Sequence, residues 1–330
     1  MGPMSDPHPF ARRASYALAA AALIVVIKCG LGAGLIAGLA ALMILSQTQN
    51  HLRDAGAGPL LARSGALALF VVLAALLLGI VIAFARLGVS RLPVLLDRLL
   101  PRLDEISNRL GVALPVENAG ELKAYIVGAA RANARLLTAE GGLLTRGFFQ
   151  ILVAVAAAVL AFVTPKNADA AARDLDSALR TELRERAARF IASFELVMGA
   201  QLVISAINTG VTAAFLFALD VPFRTTLLLA TFFCGLIPIA GNIVSNLMIV
   251  AAALTVSDGQ ALAALVFLLV SHKAQYFLNG RLVGRRIDTP TWGILLGLLI
   301  GEALMGLPGA ILAPTMIHYA REEMRARPAR

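Results

Sequence analysis

Twice in the last third of this 330-residue chain, an apolar run long enough to cross a bilayer is cut by glycine and proline. The first cut is Gly235-Leu236-Ile237-Pro238-Ile239-Ala240-Gly241-Asn242, and the second is Gly306-Leu307-Pro308-Gly309. Hydrocarbon offers no water to unpaired N–H and C=O groups. Non-helical backbone persists there only inside protein or against a wet cavity. Gly235, Pro238, Gly306, Pro308 and Gly309 are therefore expected to break helices beside a solute path at membrane depth, because interrupted apolar segments mark such sites.

The composition makes that frame firm. Apolar residues are 59% of the chain and charged residues 15%, with a mean hydropathy of +0.80. Soluble domains carry roughly 45–50% apolar and about 25% charged residues. The runs do not alternate in the manner of barrel strands. The fold class expected is all-α, a polytopic membrane protein with roughly seven or eight membrane segments, some of them broken or re-entrant.

A net charge of +9 would suggest nucleic acid on a soluble domain. Here Lys and Arg serve loops, headgroups and orientation, no nucleic-acid module accompanies them, and the partner expected is the lipid bilayer. Cys29 and Cys234 lie in apolar runs, and the four histidines are scattered, so neither disulfide, metal nor cofactor is expected. No Walker A loop, His-Glu-x-x-His helix or Gly-x-Ser-x-Gly elbow occurs, so no enzyme is expected. The Arg12-Arg13 start lacks a short apolar core ending in a cleavage site and reads as a retained, spanning segment.

Six regions follow from the hydropathy pattern. Residues 1–85 hold N-terminal membrane helices, with a kink or a tight pair of helices around Lys28 and Gly30. Gly30, Gly34 and Gly38 recur every four residues and would let a neighbouring helix approach, as would Gly293, Gly297 and Gly301. Residues 86–147 are amphipathic, with Leu92, Leu96, Leu99 and Leu103 at helical spacing and Pro93 and Pro101 expected to limit or bend the helix. A second amphipathic stretch covers about 121–137. Residues 148–164 form a short membrane segment. Residues 165–195 form a charged amphipathic helix, with Glu182–Arg186 and Glu185–Arg189 pairs on a solvated face. Residues 196–319 form the broken C-terminal membrane domain, and 320–330 a basic tail. Cytoplasmic termini are expected from the positive-inside rule.

Polar side chains inside membrane helices face protein or water. Gln201, Ser205 and Asn208 share one helical face, fit either to bind a polyhydroxylated solute or to hold helices together. Asn242 and Asn246 stand one turn apart just past the first cut. A helix beginning there would aim its unpaired N–H groups at the break, as a path element or as a cap. Glu302, alone in an apolar helix, could exchange a proton or cation, or pair with a base such as Lys273. The path expected therefore comprises Gln201, Ser205, Asn208, Pro238, Gly241, Asn242, Asn246, Gln275 and Glu302, with a small polar solute, and H+ or Na+, as ligands.

Three stretches resemble the autoinducer-2 exporter family of bacterial membrane proteins. Leu236 to Asn242 is similar to its Ile-Pro-aromatic-x-Gly-Pro region, Gln275 to Gly284 to its polar segment ending in Gly, and Gly301 to Pro314 to its Gly-rich ending with a closing Pro. Ile239, Asn242, Gly280 and Glu302 depart from the family's usual residues. The resemblance implies a multi-pass inner-membrane transporter of roughly eight segments, assembled as a homo-oligomer. Members are associated with export of autoinducer-2, others with sodium/proton antiport. The function expected is a secondary exporter of a small polar solute working by alternating access. A Na+/H+ antiporter and a non-transporting membrane scaffold stand as alternatives.

Overall fold

The computed structural model describes residues 9–111, 141–164, 175–237, 240–282 and 291–325, with isolated helical positions at 124 and 128. Among these residues there are ten helices and no strand: α1 (Pro9–Lys28), α2 (Gly32–Asp54), α3 (Pro59–Leu110), α4 (Gly141–Val163), α5 (Leu175–Ala218), α6 (Arg224–Gly235), α7 (Ala240–Leu254), α8 (Asp258–Leu282), α9 (Thr291–Met305) and α10 (Leu307–Arg325). Four helices are long and apolar enough to cross a membrane: α1, α2, α3 and α5. Parts of α4, α7 and α9 are shorter apolar helices. The chain is an all-α polytopic membrane protein.

The first apolar block is a helix pair turned at Gly30, whose φ of +65° suits a residue without Cβ. Two expected boundaries fall inside helices. The helix beginning at Pro59 runs through Arg86, Pro93 and Pro101 to Leu110. Each proline removes one backbone bond. Here Leu96 is buried and Leu95 packs on the core of its unit, so packing of the turn after Pro93 offsets the loss. The charged stretch and the first C-terminal apolar stretch are likewise one helix, α5. The stretch around 121–137 and the tail beyond 325 lie outside the described residues.

The chain forms two compact units, each described by itself: residues 1–71, 146–198 and 289–330, and residues 72–145 and 199–288. In the first unit, α2 lies on α4. A Cβ at Gly34 would come within 3.0 Å of the Gln150 carbonyl, and one at Gly38 within 3.2 Å of the Ala154 carbonyl. Those two glycines do what their spacing predicts. Gly30 does not, because it is the turn and meets nothing within 4 Å. Ala41, Leu45, Phe70 and Ala158 close the same interface, and Arg63 donates to the Phe162 carbonyl over 2.7 Å.

The second sequence break is the sharp turn of an antiparallel hairpin. Gly306 alone separates α9 from α10, at φ +64°. Its N–H bonds Glu302 O over 2.7 Å, and its carbonyl accepts from Ala310 N over 3.1 Å. The helices touch backbone to backbone, Gly301 against Gly309, and Gly297 faces Ile317. Pro308 sits in the first turn of α10, where a missing N–H has no helical partner to lose. Gly32 packs on Met305 and Pro308. At the far end of α10, Tyr16 donates to Glu323 over 2.8 Å. Both described ends of the chain therefore share one end of this unit.

In the second unit, α6 and α7 form a helical hairpin against α5. At 1.5 Å per residue they reach only about 18 and 22 Å, short of the ~30 Å hydrocarbon core. Leu216, Val221, Leu227, Ile249, Ala252, Ala253 and Ala264 cluster at the hairpin's open end. Gln260 bonds the Leu219 carbonyl there, over 2.8 Å. The chain thus enters at residue 224 and returns to the same end by 254, the geometry of a re-entrant segment. The turn into it carries Pro222 and a left-handed Phe223, φ 62°.

Candidate functional site

The inner face of α5 is set by the four-residue step of the helix. Gln201 is half-buried, and Ser205, Asn208, Thr212 and Leu216 are buried. The inner face of α7 is Asn242, Ser245, Asn246, Ile249 and Ala253, all buried. On both helices the polar half lies near the hairpin tip and the apolar half near its open end. Together they make a buried polar zone beside the first break, closed on one side by the aliphatic cluster.

Hydrogen bonds knit the zone. Gln201 Nε2 donates to the Gly235 carbonyl over 2.5 Å, satisfying the end of α6. Ser205 Oγ donates to the Phe232 carbonyl over 2.6 Å. Asn208 Nδ2 reaches Asn242 Oδ1 at 3.4 Å, a long bond. Ser245 Oγ returns to the Asn242 carbonyl over 3.2 Å. A Cβ at Gly241 would overlap the Cys234 carbonyl, so only glycine lets the two arms meet. The structure therefore brings Gln201, Ser205, Asn208, Gly235, Gly241, Asn242 and Asn246 into one unit at one break. Pro238 lies outside the described residues, and Gln275 lies in α8 with its side chain outside them.

Glu302 is elsewhere. It belongs to the first unit with Gly306, Pro308 and Gly309, and its side chain is exposed on α9 beside Leu299 and Leu304. Among the described residues, nothing in its own unit covers that face of α9, which leaves the carboxylate to lipid or to a further surface. The second break is close-packed, with glycine backbone against glycine backbone.

Two features escaped the sequence reading. Thr212 extends the polar face of α5 by a turn, and Thr231 adds a buried hydroxyl from α6. Threonine is common in buried helices, and nothing in its local pattern marks these two. The other feature is an ion network. Arg186, expected on a solvated face, is 3% exposed. It donates to Ser15 over 2.8 Å, to Glu182 over 3.1 Å and to Glu323, and lies 3.4 Å from the Tyr16 ring centre. Arg189 holds the other Glu323 oxygen over 3.0 Å. Burial pushes the Glu323 carboxyl up, but the Tyr16 bond and the Arg186 and Arg189 charges outweigh it and hold its pKa below the usual glutamate value. Glu323 and Tyr16 are 307 residues apart, so no local spacing could show the pairing.

A surface pocket of about 540 Å³ opens in the first unit, between Gln47, Thr48, His51, Leu52, Gly65 and Leu69. It contains none of the expected path residues.

The sequence family described as AI-2E family transporter matches residues 15–326, nearly the whole chain. A Bacillus subtilis (strain 168) protein named "Putative transport protein YdbI" is 28% identical over 126 residues. That match covers 38% of this chain and 36% of the relative, so the aligned part is about a third of the relative's length. With its all-helical, membrane-spanning fold and full-length family match, this chain belongs to the AI-2E transporter family.

Proposed function

We propose that this protein is a secondary exporter of a small, uncharged, hydroxyl-bearing solute of the autoinducer-2 kind. The observation that carries this reading is the buried polar zone at the hairpin tip. Its described side chains include Gln201, Ser205, Asn208, Thr212, Thr231, Asn242, Ser245 and Asn246, hydroxyls and carboxamides without a formal charge. Such groups donate and accept in equal measure, which suits a polyol better than an ion. A dehydrated charge would need a counter-charge to offset its burial.

The same arrangement supports reading the mechanism as alternating access. The aliphatic cluster at Leu216, Leu227 and Ile249 closes the polar zone at one end, and a shift of the α6–α7 hairpin along α5 would open it. Gly241 and the Gln201 and Ser205 bonds set the hairpin's resting position. Glu302 supports assembly with further copies of the chain. A carboxylate on an apolar face is costly against lipid, and a second subunit would cover it. Helical membrane segments fit the bacterial inner membrane.

The test is efflux from proteoliposomes loaded with autoinducer-2 or tritiated ribitol. Wild-type protein should release them faster than empty vesicles, and Asn242→Ala should slow release. Equal release by wild-type and variant would reject the assignment. A pH-gradient dye signal that requires Na+ or Li+ would favour antiport instead.

A further inference from the structure

Thr212 and Thr231 sit on two walls of the polar zone, at 1% and 0% exposure. A threonine in a helix ordinarily returns its hydroxyl to a carbonyl three or four residues back. Within helices Thr181 bonds Ser177 over 2.9 Å and Thr209 bonds Ser205 over 2.8 Å, and just past helix ends Thr164 bonds Leu160 over 2.7 Å and Thr255 bonds Ala252 over 2.7 Å. Among the described residues, the hydroxyls of Thr212 and Thr231 have no hydrogen-bond partner at all. Each is a buried hydroxyl that no described protein group satisfies.

Their positions are not scattered. Thr212 is one turn beyond Asn208 on the buried face of α5. Thr231 is next to Phe232, whose carbonyl takes the Ser205 hydroxyl. Gln201 and Ser205 spend their donors on the backbone of α6 and hold the hairpin. The zone therefore divides into groups already committed to structure and groups left to bind something else. The other two unpaired buried atoms among the described residues, Thr315 Oγ1 and Gln260 Oε1, lie away from this zone, one in the first unit and the other where Gln260 holds the Leu219 carbonyl beside the aliphatic cluster.

We infer that Thr212 and Thr231 are solute-binding groups, each exchanging a hydrogen bond with a hydroxyl or carbonyl of the transported molecule. The inference rests on reading the polar zone as the transport site. It adds a division of labour: Gln201 and Ser205 position the hairpin, while the two threonines select the cargo.

Valine has the shape of threonine without its hydroxyl, so Thr212→Val and Thr231→Val test this directly. Efflux of autoinducer-2 and tritiated ribitol from proteoliposomes is measured beside thermal unfolding in detergent. Each variant should lose about tenfold in efflux rate, the equivalent of one hydrogen bond. Its melting temperature should equal or exceed that of the wild type, since no existing bond is removed. Thr212→Ser and Thr231→Ser should recover most of the efflux. Valine variants that export like an active wild type overturn the inference and leave the transport reading intact. A drop in melting temperature alongside the lost efflux assigns both threonines to structure and also overturns it. Wild-type protein that moves neither probe above the leak of empty vesicles overturns both readings.

Discussion

Gly241 lies against the carbonyl of Cys234 so closely that no β-carbon fits between them. This contact lets α7 begin directly beside the end of α6. It explains why glycine stands in an apolar helix where alanine would serve the helix better. Gly241→Ala should therefore prevent the hairpin from closing, with sharply reduced yield of folded protein in size-exclusion chromatography. Gly210→Ala, on the same unit's α5 with nothing within 4 Å of its would-be Cβ, should be neutral or gain up to about 1 kcal/mol. Equal behaviour of the two variants would contradict the assigned geometry.

The bonds from Ser205 and Gln201 to α6 make a second, graded expectation. Ser205→Ala leaves the Phe232 carbonyl buried with one acceptor bond fewer, for a loss of about 1 kcal/mol. Gln201→Leu removes the bond to the last carbonyl of α6, with a similar loss. Detergent melts of both variants, read against wild type, check this. Unchanged melting temperatures would mean that neither bond holds the hairpin.

How much of this was written in the sequence differs from one feature to the next. The polar face Gln201, Ser205, Asn208 was legible, because a helix fixes which side chains align and burying such groups demands partners. Gly34 and Gly38 were legible for the same periodic reason. Helix ends were not. Composition changes at Arg86 and near Glu195, yet helices run through both, because a helix passes from lipid to water without a change of backbone geometry. Pro93 and Pro101 were read as limiting or bending the helix; it is not limited there, since a proline's local cost is visible in a sequence and the packing that offsets it is not. Glu302 was read, from its apolar neighbours alone, as an exchange site or as half of an ion pair. Sequence shows that a helix is apolar, but lipid and protein satisfy an apolar face equally well.

The ion network gives the pH expectation. The folded pKa of Glu323, beyond the apolar run of α10, is depressed. Its stabilisation is then complete above the unfolded glutamate value of about 4.3 and is lost as pH falls through the lower folded value. Wild-type melting temperature should fall in acid below that point, and Glu323→Gln should flatten the acid limb while lowering stability at neutral pH. An identical acid limb in both proteins would remove Glu323 from the account.

Arg186 should show a sharper asymmetry. Arg186→Met leaves Glu323 buried with only Arg189 and Tyr16, and breaking a buried pair in this way costs about 3–5 kcal/mol. Arg186→Met with Glu323→Leu should recover much of that loss, because no buried charge remains and Arg189, about a third exposed, can turn to water. Melting temperatures of the two single variants and the double variant close the cycle. A double variant less stable than either single would show that each residue stabilises the fold through its other partners rather than through the pair.

Glu302 carries the last expectation. Its helix displays Trp292 at 68% exposure, with Leu299, Ile300 and Leu304 also exposed, a face that lipid would cover readily apart from the one carboxylate. Placing a carboxylate in hydrocarbon costs about 2.5–3.5 kcal/mol on insertion scales, and a neighbouring subunit supplies polar groups at less cost. If a second copy covers this face, Glu302→Cys in a Cys29→Ser background should form a disulfide-linked dimer under mild oxidation in native membranes. The exposed Cys29 must be removed because it could cross-link by itself. Val211→Cys, on an exposed position of α5, gives the reference for random collision in the bilayer. Cross-linking at 302 no stronger than at 211 would return that face of α9 to lipid and leave the carboxylate without a subunit to explain it.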